Sequence, residues 1–314
     1  MHAQSPIVLA LVAAVSLTTA ACNRNRATGE SRAPSGSAKA PPALVAPSRG
    51  DDSTMVAVRF LEDRVKGDPD DIVALNKLSI YYLQLHRRTG AIEYLKLALQ
   101  AAGSSLKVLP ADQNLGGLRA LAQAEYETHD FVSARDSSRE LIEYEPDKPF
   151  GYQVRGDALL ELGDYEQATK AYARMEKLDG GSVATEARLA HLAMLRGDWA
   201  MAKRRYSVAL TQAKTALVPN AETISWCHWQ MGEIAFASGD YATAERHYRD
   251  ALTAFPDYFR ALASLGRVRA AQGDLAGAIE RYEQAVRIIP DPQFVAALGD
   301  LYKLSGRNKD AASQ

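Results

Sequence analysis

Residues 225–258 read SWCHWQMGEIAFASGDYATAERHYRDALTAFPDY, and residues 259–291 read FRALASLGRVRAAQGDLAGAIERYEQAVRIIPD. Gly232 and Gly266, Gly239 and Gly273, Ala244 and Ala278, Tyr248 and Tyr282, and Pro256 and Pro290 fall in the same places. Working outward, the same pattern of about 34 residues starts at Ile72, Leu115, Pro149 and Val183, and begins again at Pro292. The twentieth position is alanine in every copy (Ala91, Ala134, Ala168, Ala202, Ala244, Ala278, Ala311), and the eighth is small throughout (Ser79, Ala122, Gly156, Ala190, Gly232, Gly266, Gly299). Small residues at these two places predict pairs of helices that pass closely. A helix cannot bury its apolar stripe alone, so consecutive hairpins must stack and share one continuous core.

These residues resemble the tetratricopeptide repeat (TPR) family, whose pattern runs from a large residue through Leu-Gly, an aromatic, Ala, an aromatic and Ala to a closing Pro. The fifth copy carries it in Met231, Gly232, Gly239, Asp240, Tyr241, Ala244, Tyr248, Ala251 and Pro256, and the sixth in Leu265, Gly266, Gly273, Ala278, Tyr282, Ala285 and Pro290. The resemblance covers about three quarters of the chain and implies an all-α fold, a right-handed superhelical solenoid of helix-turn-helix repeats. Copies one and two depart from it, with His86 and His129 in place of the turn glycine and Leu95 and Ser138 in place of the tyrosine.

With 47% apolar and 24% charged residues and a formal net charge of -1, the composition is that of a folded soluble protein without a nucleic-acid signature. No nucleic acid is expected as a partner. The basic share lies at the amino end, where residues 1–50 hold five Lys or Arg against one Glu.

Residues 1–21 read as a signal peptide: an apolar run from Ile7 to Leu17, too short to span a bilayer, ends in Thr18, Thr19, Ala20 and Ala21 before Cys22. Small residues directly before a cysteine resemble the bacterial lipoprotein processing site, which implies that Cys22 is lipidated and becomes the new amino terminus. Thr19 stands where that family has an aliphatic residue, and the segment before the apolar run has His2 but no Lys or Arg. Thr19 and Ala21 also satisfy the small-x-small rule of ordinary signal peptidase, which leaves a soluble secreted form open. Cys227 is the one other cysteine; it has no intramolecular partner once Cys22 is lipidated and reads as a small buried thiol. By resemblance to enterobacterial sorting rules, Asn23 after the cysteine implies the outer membrane, facing the periplasm. Residues 22–52 are rich in Pro, Ser, Ala and Arg without apolar periodicity and read as a disordered tether with a reach on the order of 30 Å.

Residues 53–71 hold a lone helix from about Thr54 to Gly67, with Val58, Leu61 and Val65 on one stripe, that would cap the array of residues 72–314. Eight extra residues between copies four and five, Leu217 to Ile224, predict that both flanking helices lengthen by a turn, with Pro219 and Asn220 at a protruding tip and Asn220 capping the next helix. Nine extra residues between copies one and two, Leu106 to Asn114, follow Gly103, Ser104 and Ser105 and predict a true loop. The seventh copy is incomplete at Gln314, which reads as a truncated sequence, a fraying short helix or a surface for a partner.

No CxxC pair, no HExxH and no phosphate-binding loop appears, so catalysis is not expected. His228 and His247 share copy five, but two histidines without a third ligand read as core or surface, and neither a metal nor a cofactor is expected. The expected partner is a protein or peptide. In the TPR family, positions 2, 5, 9 and 12 of the repeat line a concave groove. The resemblance carries these onto Arg119, Gln123 and Tyr126 in copy two, Phe150, Gln153 and Asp157 in copy three, and His191 in copy four. Copy five contributes Trp226, Trp229, Glu233 and Phe236, and copy six Arg260 and Arg267. The Lys and Asn set that clamps a C-terminal carboxylate in chaperone-binding TPRs is absent. Trp229 stands three residues before Gly232, one short of the spacing that puts the family's tryptophan in the core. It is therefore expected to form an exposed aromatic patch with Trp226 and Phe236 beside Glu233, Arg260 and Arg267. The other reading packs Trp226 and Trp229 into the lengthened hairpin. The whole chain reads as a non-enzymatic interaction scaffold, lipid-anchored in a bacterial envelope, similar to TPR lipoproteins that assist outer-membrane protein or pilus-secretin assembly. A docking part of a longer enzyme and a soluble secreted peptide-binding protein are the alternatives.

Overall fold

The computed structural model describes residues 53–313; residues 1–52, where a signal peptide, Cys22 and a tether are expected, lie outside the described residues. Fifteen helices follow one another: α1 Ser53–Gly67, α2 Ile72–Thr89, α3 Glu93–Val108, α4 Leu115–Glu127, α5 Phe131–Tyr144, α6 Pro149–Glu161, α7 Tyr165–Asp179, α8 Val183–Leu195, α9 Trp199–Thr215, α10 Ala221–Ala237, α11 Tyr241–Ala254, α12 Phe259–Ala271, α13 Leu275–Ile288, α14 Pro292–Leu304 and α15 Asn308–Ser313. They pair as hairpins from α2 onward, and each hairpin packs on the next, with α1 laid against α2 through Val58 and Leu61. The fold is all-α, and the described residues contain no strand.

A Gly-Asp pair makes the turn in repeats three to six. Gly163, Gly197, Gly239 and Gly273 end the first helix of their repeats with φ between +75° and +81°, a conformation that costs glycine nothing. The next residue starts the second helix: Asp164, Asp198, Asp240 and Asp274 each accept the amide three residues on, from Gln167, Met201, Thr243 and Gly277. In copy two His129 takes the glycine's role at φ 64°, before the capping Asp130. Copy one differs from the predicted register. Nothing stops the helix at His86, so α2 continues through Arg87 and Arg88 to Thr89, and Gly90 at φ 71° ends it. Ala91 therefore lies in the turn, half-buried, and Ala98 and Ala102 are the fully buried alanines of α3.

The small eighth position has a definite occupant opposite it. A Cβ added to Gly156 would run into the ring of Tyr172, one at Gly232 into Tyr248, and one at Gly266 would lie 2.7 Å from the ring of Tyr282. The tyrosine of the second helix thus lies flat on the backbone of the first. Ala134, Ala168, Ala202, Ala244 and Ala278 are wholly buried where the paired helices cross.

Of the insertion between copies four and five, only Ala221–Ile224 is helical, as an extra turn at the start of α10, while α9 ends at Thr215. α10 begins one turn early, and the Asn220 side chain accepts the amide of Thr223 at 2.8 Å. The tip between α9 and α10 leaves Leu217 and Val218 exposed. The predicted loop after copy one is shorter than the sequence suggests, because α3 runs through Gly103, Ser104 and Ser105 to Val108. Packing decides this. Ser105 is wholly buried, and its hydroxyl accepts from the Asn114 side chain at 2.8 Å, which outweighs the ~1 kcal/mol helix penalty of one glycine.

Two glycines should respond in opposite directions. Gly232→Ala forces the Tyr248 ring off its seat and should cost about 1–3 kcal/mol in denaturant midpoint analysis. Gly103→Ala, in mid-helix with open space around it, should stabilise by up to about 1 kcal/mol.

Candidate functional site

The first helices of successive repeats touch one another directly, α2 on α4, α4 on α6 and α10 on α12. They form a layer on which the ninth position of repeats three and five meets the next repeat. In copy three that position is Asp157, 4% exposed. Its carboxylate accepts from the Tyr172 hydroxyl at 2.8 Å, and from Arg188 of the next repeat through Nε at 2.7 Å and Nη2 at 2.5 Å. Arg188 is 1% exposed and also donates to the Ala184 carbonyl at 3.0 Å.

Copy five repeats the arrangement with Glu233. The Tyr248 hydroxyl donates to Glu233 at 2.7 Å, Ser264 at 2.8 Å, and Arg267 Nη2 reaches both carboxylate oxygens at 2.6 and 2.5 Å. Arg267 also lies 4.2 Å above the Phe236 ring. In copy four the ninth residue is His191, and the Tyr206 hydroxyl is buried without a protein partner. Burial holds the His191 imidazole below its ordinary pKa, against the pull of Asp157.

These contacts sort the residues singled out in the sequence. Asp157, Gln153 and Trp229 are interior. Trp229 is 7% exposed; its indole N–H donates to Ser264 at 3.0 Å, and its ring meets Tyr258 edge-on. It therefore forms no exposed patch. Nor does it enter the lengthened turns: one residue of offset turns it onto α12, where it fills the gap between the first helices of two repeats. Trp226 turns the other way and packs edge-on against Tyr206 of the preceding hairpin. Glu233 and Arg267 are tied to each other across repeats, and Arg260 lies over the rings of Trp229 and Phe259. Arg119 pairs with Glu145 and lies over Phe150. Gln123, Tyr126 and His191 are half-buried along repeats two to four, and Gln123 donates to Glu127 at 3.1 Å.

Arg188 and Ser264 escaped the sequence reading. Arg188 was the more legible, the one Lys or Arg of α8, flanked by Ala187 and Leu189. Cys227 is fully buried, and burial pushes its thiol up to about 12, so it is inert at neutral pH. The histidine pair of copy five has a third group beside it, Asp250.

Glu125 sits next to Tyr126. Burial, opposed by a hydrogen bond from Ser137, pushes its carboxyl up to about 7, and one of its oxygens is buried without a partner.

Two family models described as Tetratricopeptide repeat match the chain, one over residues 119–183 and 230–293, the other over 182–257. None of the curated proteins is similar enough to match. Among solved structures, the fold is similar to the APC/C hetero-tetramer Cut9-Hcn1 (TM-score 0.64, 16% identity), where 80% of this chain aligns with only 46% of that one. It is also similar to a tetratricopeptide repeat protein from Parabacteroides merdae (TM-score 0.59, 16% identity, 80% of this chain and 91% of that one). PilW, described as a widely conserved type IV pilus biogenesis factor, aligns with 62% of this chain and 88% of its own (TM-score 0.53, 16% identity).

Removing Asp157 alone strands a buried guanidinium, so Asp157→Asn should cost about 3–5 kcal/mol, while the double change Asp157→Leu with Arg188→Met should recover much of it. Equilibrium unfolding of the three proteins checks this. For Glu125 the folded carboxyl titrates above the unfolded one, so its contribution is intact below the unfolded pKa and is lost as pH rises through about 7. Glu125→Gln should therefore stabilise the protein at pH 8 by about 1–3 kcal/mol and change little at pH 4, as read from unfolding midpoints at the two pH values.

Proposed function

We propose that this chain, which belongs to the tetratricopeptide repeat family, is a non-enzymatic protein–protein interaction scaffold that holds a peptide or protein segment along its layer of first helices. The observation that carries this reading is the state of that layer in repeats two to four. Asp157 is sealed by Arg188 and Tyr172, so the backbone there is held rigid, while Gln123, Tyr126 and His191 stay partly exposed around it. An amide, a phenol ring and a neutral imidazole on a rigid support suit an extended peptide, because little ordering entropy remains to be lost on binding.

The envelope part of the proposal rests on residues 1–22. An apolar run followed by Thr19, Ala20, Ala21 and Cys22 fits lipid anchoring of the amino terminus, and no helix among the described residues is long and apolar enough to cross a membrane.

Photo-crosslinking amino acids at Gln123 and His191 should give discrete protein adducts in envelope extracts, whereas the same group at the exposed Lys170 of α7 should give none of them. Equal adducts from all three positions would defeat the assignment of the face. Cys22→Ser should abolish fatty-acid labelling and release the protein from membranes; an unlabelled wild type in the soluble fraction would defeat the anchor.

A further inference from the structure

The hairpin of repeat five contains a group of side chains that the interaction surface does not use. His228 on α10 and His247 and Asp250 on α11 bring two imidazole nitrogens and a carboxylate oxygen within 4.8 Å of one another. His247 and Asp250 are three residues apart on one helix and so project from the same face. His228 meets them from the partner helix.

The nitrogen geometry is informative. The two Nδ1 atoms face each other at 3.4 Å, and His228 Nδ1 is 3.8 Å from the Asp250 carboxylate. A separation of 3.4 Å is long for a hydrogen bond between ring nitrogens, and two facing Nδ1 atoms can share only one proton. It is close to the edge of a tetrahedron of ligands around Zn2+, about 3.3 Å for metal–nitrogen bonds of ~2.05 Å. Both lone pairs would then be used, and the carboxylate, 3.8 Å from His228 Nδ1 and within 4.8 Å of both histidines, closes in to complete a third corner. Asp250 is half-exposed, so the fourth corner opens to water.

We propose that His228, His247 and Asp250 form a binding site for one divalent transition-metal ion of the zinc class, held between the two helices of the fifth repeat. The charges around it define what it takes. Lys203 and Lys214 on α9 and Arg246 on α11 face the histidines, against one carboxylate. Hard cations such as Mg2+ and Ca2+ depend on several oxygen ligands and accumulated negative charge, and are excluded. An ion that bonds strongly to imidazole tolerates the surroundings. The bound ion would tie α10 to α11 next to the insertion tip. Cys227 takes no part, since its side chain, turned about 100° around α10 from His228, packs with Ala209 and Ala213 of α9.

The test is titration of the chelator-treated full chain with ZnCl2 against a chromophoric chelator, together with thermal melts. One equivalent should bind, the melting midpoint should rise with Zn2+, and equal concentrations of Mg2+ or Ca2+ should leave it unmoved. Asp250→Ala, at an exposed position, should weaken Zn2+ binding at least tenfold, and His247→Ala should abolish it. Co2+ in place of Zn2+ should give the visible absorption of a tetrahedral site in the wild type and in neither variant. If His247→Ala does not fold, Asp250→Ala decides alone. The proposal is overturned if the wild type takes up no Zn2+, or if the folded variants bind it as tightly as the wild type, as they would were the ion held by His86, His129, His191 or a thiol.

Discussion

The contact between a small residue at the eighth position and a tyrosine ring at the twenty-fourth sets the geometry of every well-formed repeat. Where the eighth residue is glycine, the ring lies against bare backbone, and the two helices approach more closely than any Cβ would allow. The hydroxyl is thereby carried to the ninth residue of the same repeat. When that residue is an acid, as in Asp157 and Glu233, it accepts the phenol and an arginine from the next repeat together. A packing contact within one hairpin thus positions the ion pair that joins it to the next.

This linkage explains why the inner layer is less available to a partner than family positions alone suggest. Buried carboxylates need their partners, since an unpaired charge in the interior is far more costly than a lost hydrogen bond. Asp157 meets that need with Arg188 and Tyr172, and Glu233 with Arg267, Tyr248 and Ser264. What remains for recognition is the partly exposed set of Gln123, Tyr126 and His191, where the ninth residue is an amide or an imidazole and carries no charge that must be sealed.

The departures from repeat regularity have local causes of the same kind. His129 adopts a left-handed conformation in place of glycine because a capping aspartate follows it. His86 has no such successor, and the helix simply continues to Gly90. The Gly103–Ser105 stretch stays helical because Ser105 is buried against α2 and bonded to Asn114. In each case a tertiary contact or a cap overrides the propensity of the residue.

The repeat period, the start of each hairpin, the Gly-Asp turns and the extra turn capped by Asn220 were legible in the chain, because each depends on residues within one repeat and recurs in phase. The fold class follows from these local rules and from the need to bury a shared apolar stripe. The roles of Asp157, Trp229, Arg188 and the His228–His247–Asp250 group were not legible, because their partners lie between 15 and 35 residues away and the facing of one helix on another decides which side chains meet. Trp229 shows the reason most directly: a one-residue offset turns a side chain by about 100° around a helix of 3.6 residues per turn, and only the neighbouring repeat determines whether that direction is groove or core.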